Sequence, residues 1–483
     1  MSTRQTLVFS FLDRYAGLII HTVSAMVIAR LLTPAEIGVY SVVMVLLGFV
    51  AVFRDFGAGQ YLVRHRDASP EVMRATWTMQ FGLGVLFAVA VSAGAWPLAR
   101  FYDDPRMVSI MYVLALNFLV TPFSAFPNAL LVRAMRFRAI AAIRFASSLG
   151  HASMAIGMAS SGHGPISLAW ANLAATLVGI GVTAVLTRLP LWQRPTTQRL
   201  REVFGFGGGL TLASLLDSAT AGTPELLLGK LRNLTEAGLM SRAQGLVAMF
   251  SQLVLQAVGP VALPYFSREV RAGNDLGKPF IRASELILGL GWAFFGVLAL
   301  LAFPIVRLLY GLQWDDAVLP MRWLALASAL MLPGVVCYAP LVAIGAIGDV
   351  LRNTAVTAAL VMTAAMISAP SGVAVVTRWQ VLASALAGGY WLWSVRRHIA
   401  MRWRDLAASA GRSAALAAAA MAPALATMLL LGWRPASHPL VALSCLPLAA
   451  VMLALAARAT RHALWIEVEN VLPSLGRRLR WRN

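Results

Sequence analysis

Apolar runs of about 20 residues follow one another along almost the whole chain, with only short polar breaks between them. That is the length an α-helix needs to cross the hydrocarbon core of a bilayer. Fourteen such runs can be placed, at 8–31, 37–57, 75–99, 107–132, 139–160, 165–188, 204–229, 237–263, 283–309, 319–345, 352–369, 373–395, 408–432 and 437–459. The weakest division is the one between the eleventh and twelfth, where Pro370-Ser371-Gly372 is the only break. Composition agrees: 59% of residues are hydrophobic and 12% charged, too little charge to cover a soluble protein of this length. The expected fold is therefore an all-α polytopic membrane protein. The first run is long, carries Asp13 and Arg14 and lacks a convincing small-residue cleavage site, so it reads as a retained helix rather than a cleaved leader.

The net charge of +20 is distributed unevenly. With the N-terminus placed in the cytoplasm, sides alternated and residues toward the ends of runs counted with the adjoining side, 29 of the 40 Lys and Arg fall on the cytoplasmic side and 9 on the other, with Arg144 and Arg242 counted as inside spans. This follows the positive-inside rule and predicts that both termini are cytoplasmic, with the inner membrane of a bacterium as the expected location. The basic balance needs no nucleic acid to explain it, because no folded basic domain exists to bind one. The tail at 460–483 ends in Arg477-Arg478-Leu479-Arg480-Trp481-Arg482, a pattern suited to inner-membrane lipids of anionic charge. Cys337 and Cys445, both in mid-span, read as packing residues with no disulfide or metal role.

A segment recurs after 200 residues. Arg30-Leu31-Leu32-Thr33-Pro34-Ala35-Glu36-Ile37-Gly38 returns as Lys230-Leu231-Arg232-Asn233-Leu234-Thr235-Glu236-Ala237-Gly238. Thr33-x-x-Glu36 and Asn233-x-x-Glu236 both have capping-box spacing, and Pro34 suits a first helical position. Two further pairs keep the order: Pro97 and Arg100 against Pro304 and Arg307, and Pro122 and Pro127 against Pro333 and Pro340. The expected organisation is an N-lobe at 1–188 and a C-lobe at 204–395, of six helices each, followed by two helices at 408–459 and the tail. Six being even, the copies should share one orientation about an axis along the membrane normal, an arrangement found in secondary transporters.

The motifs Ala29-Arg30-Leu31-Leu32-Thr33-Pro34-Ala35-Glu36-Ile37-Gly38-Val39-Tyr40-Ser41, Arg54-Asp55-Phe56-Gly57, Gly238-Leu239-Met240-Ser241-Arg242-Ala243 and Gly311-Leu312-Gln313-Trp314 resemble those of Wzx-type polysaccharide transporters. These belong to the multidrug/oligosaccharidyl-lipid/polysaccharide (MOP) flippase superfamily. The resemblance runs from about residue 8 to 345. It implies a two-lobed bundle with a central cavity, and flipping of undecaprenyl-pyrophosphate-linked repeat units between the leaflets of the inner membrane. Relatives often carry an Asp shortly before the Gly229 position. Here the segment is Gly222-Thr223-Pro224-Glu225, which makes Glu225 a candidate substitute.

An ionisable group at the bilayer centre costs at least about 2.5–3.5 kcal/mol, so each one needs a reason. A pyrophosphate needs cations, and Arg14, Arg54, Arg144 and Arg242 are the candidates, since a guanidinium holds phosphate through two hydrogen bonds. For each, the plainer reading is an anchor or snorkelling side chain. Asp217, deep in the seventh run, and Glu225 are candidates for coupling to H+ or Na+, with a structural partner for an arginine as the plainer reading of Asp217. Pro224 between them is expected to interrupt the helix. His21 and His151 read more simply as packing residues. No nucleotide loop, cofactor motif, metal-ligand spacing or catalytic elbow is present, so an enzyme is not expected.

A drug exporter of the same superfamily should line its cavity with carboxylates, against the basic balance seen here. A polysaccharide polymerase or ligase should carry a large external loop, which is lacking. A non-transporting protein that keeps the fold is the remaining reading. A polysaccharide polymerase and a chain-length regulator are the expected protein partners of a flippase. The topology predicts that reporter fusions at Ser161 and Thr196 report the periplasmic and cytoplasmic sides respectively; both on one side would refute it.

Overall fold

A computed structural model describes residues 17, 19–55, 58–64, 69–431 and 439–469. Among these residues every regular element is helical. Asp13, Arg14, the Phe56-Gly57 pair and the arginine-rich end of the tail lie outside the described residues. The helices cluster into two compact units, Met1–Gly238 and Leu239–Asn483.

In the first unit, α1 (Ile19–Leu31) ends and α2 (Pro34–Asp55) begins within the first copy of the repeated segment. The capping box forms in both directions: the Thr33 N–H donates to Glu36 Oε2 at 2.8 Å and the Glu36 N–H to Thr33 Oγ1 at 3.3 Å. Two of the four orphan amides at the helix start are thereby satisfied. After the short α3 (Ala58–Arg64), α4 (Pro70–Phe101) starts on Ser69, whose Oγ accepts the Val72 N–H, with Pro70 in the first turn. The span expected at 107–132 is two helices, α5 (Arg106–Val120) and α6 (Pro122–Arg133), bent by 43°. Pro122 has no N–H to continue the ladder, which accounts for the break. Helices α7 (Phe137–Ser160) and α8 (Ile166–Thr187) lie close together because Gly150 faces Val178 and Gly179 faces Ser147. The core joins Val39, Val42 and Val43 of α2 to Ala88, Val91 and Ala95 of α4, Ile110 and Leu114 of α5 and Leu173 of α8.

Helix α9 (Leu200–Leu231) closes this unit. It runs unbroken through Pro224. The expected interruption is thus corrected: the missing N–H leaves the Thr220 carbonyl without its helical donor, while the flanking turns stay helical. Gly222 and Gly229 face Val45 and Val42, which brings α9 close onto α2. The start of α10 (Leu234–Phe250) then meets the start of α2 backbone to backbone. A methyl on Gly38 would overlap the Leu234 carbonyl oxygen, and one on Gly238 would overlap the Pro34 carbonyl oxygen. Since Leu234 is the repeat counterpart of Pro34, the contact is reciprocal, as at a local two-fold axis.

In the second unit, α10 passes through a π turn (Ser251–Leu255) into α11 (Gln256–Arg271). Then come α12 (Gly277–Leu300), α13 (Ala302–Leu309), a 3₁₀ turn (Leu312–Ala317) and α14 (Val318–Ala343). Unlike the α5–α6 pair, α14 continues through both Pro333 and Pro340. Helices α15 (Ile347–Ser368) and α16 (Val373–Arg396) follow, and Gly388 of α16 sits against the Leu330 carbonyl of α14. Helices α17 (Trp403–Leu431) and α18 (Pro439–Ala459) pack on α12 through alanines 293, 417, 420, 424 and 449. The short α19 (Ala463–Glu469) turns off by 91°. It is held by Glu285 of α12, 5% exposed, which accepts Arg412 Nε at 2.9 Å and Nη2 at 2.6 Å, and the Ala463 N–H at 3.2 Å.

The expected apolar runs are occupied by helices, some of them broken, although the first run lies only partly within the described residues. By length and apolarity alone, eight of the described helices could cross a bilayer, or ten if each bent pair counts as one span. The glycine contact yields a prediction. Gly38→Ala or Gly238→Ala forces two backbones apart and should cost about 1–3 kcal/mol, read as a lower unfolding temperature in detergent. Gly82→Ala, with open space around it, is the control. Equal melting of all three variants would refute the contact.

Candidate functional site

The ionisable residues singled out from the sequence fall into different surroundings. Arg14 lies outside the described residues. Arg54 belongs to the last turn of α2, its side chain again beyond what is described. Arg144 is exposed on α7. His21 is exposed on α1, and His151 is half-buried on α7.

Asp217 and Glu225 both sit on α9 and are separated by burial. Asp217 is exposed, beside the half-buried Ser218. Glu225 is 3% exposed and lies on the turn between Gly222 and Gly229, the two glycines that bring α9 onto α2. Tyr102, which caps α4, donates its hydroxyl to the Leu226 carbonyl at 3.3 Å. Burial, helped by the Glu225 charge, pushes the Tyr102 phenol up to about 12, so it stays a neutral donor at physiological pH. Lys230, the repeat counterpart of Arg30, donates to the Phe101 carbonyl and approaches Asp103 at 3.5 Å. These contacts tie the end of α4 to the last turns of α9.

Arg242, two turns into α10, is half-buried in the second unit. Its guanidinium lies 5.7 Å from the Tyr310 ring centroid and 5.9 Å from that of Trp314. The motif around Arg242 and the motif Gly311-Leu312-Gln313-Trp314 are therefore one feature: an arginine held over two rings. Trp314 is fully buried. Arg307 braces the same turn through a two-pronged pair with Asp315, at 2.9 and 2.5 Å. The first repeat copy uses different partners, Asp104 taking Arg106 at 2.6 Å and Asp103 taking Lys230.

Sequence reasoning missed a polar ladder inside the first unit. Asn172 of α8 donates to the Tyr40 hydroxyl of α2, and Thr176 of α8 donates to Asn117 Oδ1 of α5 at 2.7 Å. Uncharged polar residues in apolar runs carry little signal by themselves. The i, i+4 spacing of Asn172 and Thr176 on one face was the available clue.

Residues 27–319 match the model of a family described as polysaccharide biosynthesis protein. The chain is 25% identical over 313 residues to the succinoglycan biosynthesis transport protein ExoT of Rhizobium meliloti (strain 1021), covering 64% of this chain and 63% of that protein. It is 21% identical over 291 residues to the teichuronic acid biosynthesis protein TuaB of Bacillus subtilis (strain 168), covering 58% and 59%. The chain thus spans about three fifths of the length of these curated relatives. Among solved structures it is similar to the lipid II flippase MurJ in an inward closed conformation, with a TM-score of 0.76 at 10% identity, over 94% of this chain and 98% of that one. It is also similar to an inward-facing multidrug resistance MATE family transporter of the MOP superfamily, with a TM-score of 0.65 at 14% identity, over 81% and 97%. At such identities the likeness is one of fold.

The difference in burial along α9 predicts how its two carboxylates react. In carbodiimide–amine labelling of the purified protein read by mass spectrometry, Asp217 should be modified at least roughly tenfold faster than Glu225, because the reagent needs the carboxyl within reach of solvent. Equal labelling would refute the assignment of burial.

Proposed function

The chain belongs to the polysaccharide biosynthesis protein family, and on that premise we propose that it is a flippase. Its substrate in this reading is an undecaprenyl-pyrophosphate-linked oligosaccharide repeat unit, moved across the bacterial inner membrane by alternating access for exopolysaccharide, capsule or O-antigen synthesis. The observation that carries the reading is the family match over residues 27–319 on a chain with the MurJ-like fold. The similarity to the succinoglycan biosynthesis transport protein and to the Escherichia coli (strain K12) lipopolysaccharide biosynthesis protein WzxC, 23% identical over 123 residues, supports it.

Physical chemistry sets what such a protein must supply. A charged, sugar-bearing headgroup cannot cross apolar lipid without a polar path. Arg14, Arg54, Arg144 and Arg242 are the proposed cations for the pyrophosphate, with Arg242 pre-oriented by its two rings. Asp217 is the better placed of the two proposed coupling carboxylates, because no neighbouring helix covers it. Glu225, buried at a tight helix contact, would respond only when α9 moves relative to α2. H+ and Na+ are the proposed coupling ions, both termini are placed in the cytoplasm, and polymerase and chain-length regulator are the proposed partners.

Vesicles reconstituted with the protein and a fluorescent undecaprenyl-pyrophosphate-linked oligosaccharide test the proposal. The wild type should move the lipid between leaflets. Arg54→Ala, Arg144→Ala and Arg242→Ala combined should slow it at least about a hundredfold, at a loss of roughly 1–3 kcal/mol per charge-assisted contact. Movement of cationic dyes instead of the lipid would favour the drug-exporter reading. Unchanged ion dependence in both Asp217→Asn and Glu225→Gln would replace coupling with downhill flipping drawn by polymerisation.

A further inference from the structure

One end of the second unit combines an apolar slot with arginines that form no ion pair among the described residues. The slot, about 210 Å³, is lined by Ser284, Leu288 and Trp292 of α12, Pro333 of α14, Leu392 of α16, and α17 from Trp403 to Ala410. Ser284, Leu288 and Trp292 recur every four residues, so the slot follows one face of α12 for about 12 Å. Its lining presents almost no polar surface, and the Trp292 indole N–H is already used by the Ala329 carbonyl at 2.8 Å. Nothing in it calls for a polar ligand.

The rim is the opposite. Trp403, which lines the slot, carries the Arg396 guanidinium 4.9 Å from its ring centroid. Arg402 and Arg404 flank Trp403 in the chain, and all three arginines are exposed. The buried carboxylate near this end is already engaged: Glu285, next to Ser284, holds Arg412. On α15, Asp349 holds Arg352 and, at 2.6 Å, His398. Among the described residues no ion pair involves Arg396, Arg402 or Arg404. Asp405 is the one acidic neighbour in sequence, and it is exposed.

We infer that this is a binding site for an anionic phospholipid of the bilayer, one acyl chain in the slot and the headgroup phosphate on Arg396, Arg402 and Arg404. A narrow apolar slot selects a hydrocarbon chain, and Arg396 on the Trp403 ring, with the exposed Arg402 and Arg404 next to Trp403 in the chain, favours a negative headgroup. Arg396 stacked on Trp403 at the start of α17 suits headgroup depth, where tryptophan and arginine are favoured. Asp217, Glu225 and Arg144 belong to the first unit and do not line the slot. Arg242, in the second unit, is likewise not among the lining residues, so the inferred occupant is a resident membrane lipid and not the transported one. The inference rests on the chain being in a membrane and is independent of transport.

Native mass spectrometry of the purified full-length protein tests it, with phosphatidylglycerol and phosphatidylcholine of identical acyl chains as probes. One phosphatidylglycerol should bind in preference to phosphatidylcholine. Replacing Arg396, Arg402 and Arg404 with Gln should weaken that binding by about fivefold per arginine. Ala407→Phe, which fills the slot from α17, should abolish the preference while leaving the exposed arginines intact. Since the three arginines are on the surface, the charge variants keep the fold, which circular dichroism checks. Equal binding of both lipids overturns the site. So does loss in the arginine variants with none in Ala407→Phe, which would mean surface adsorption only. Stoichiometric binding of undecaprenyl phosphate that displaces phosphatidylglycerol would overturn the resident-lipid assignment.

Discussion

Helices immersed in lipid gain little by hiding apolar surface from one another, because the acyl chains around them are equally apolar. Association has to come from close van der Waals contact and from hydrogen bonds between helices. The structure depends on this constraint throughout. Its helices approach where a side chain is missing: Gly38 on the Leu234 carbonyl, Gly238 on the Pro34 carbonyl, Gly222 and Gly229 on Val45 and Val42, Gly388 on the Leu330 carbonyl. Around α12, α17 and α18 alanine takes the same part. The Gly38–Gly238 contact holds the two copies of the repeated segment against each other, which gives the repetition a physical reason. A backbone contact of this kind has no side chain that can move aside, so the same small residue is required in both copies.

The second constraint is the cost of charge in a low-dielectric medium, and the chain meets it in three ways. Glu285 and Arg412 neutralise each other, with the Ala463 N–H as a third partner, and so fasten α19 to α12. Arg307 and Asp315 do the same at the turn that carries Trp314. Arg242 lies over aromatic faces instead. The two ion pairs hold the fold, and the ring contacts fix where the Arg242 guanidinium sits. Asp217, Arg144 and the arginines at 396, 402 and 404 stay exposed, and those positions are where ligands, ions or lipid headgroups can be met.

Much of the fold could be read from the pattern of residues. Apolar runs marked where helices lie, because helix length in a membrane is set by bilayer thickness. Thr33 and Glu36 marked the start of α2, since a capping box acts within four residues. Pro122 marked a bend. Pro224, Pro333 and Pro340 did not break their helices, because neighbouring turns and packing decide whether a missing N–H kinks a helix or is absorbed. The same residue type thus carries a different meaning at positions that look alike.

The sequence by itself determined the class of the protein, the places of its helices, the existence of a repeat and the ionisable residues that need explaining. All of these follow from local composition and spacing. Only the tertiary structure decided which charges are spent on holding the fold. Arg242 and Trp314 are 72 positions apart, and Glu285 and Arg412 are separated by 127. Asp217 and Glu225 are eight residues apart on one helix, yet one is exposed and the other buried. Burial and partnership depend on what other helices bring to the same place, and that information is spread over the whole chain.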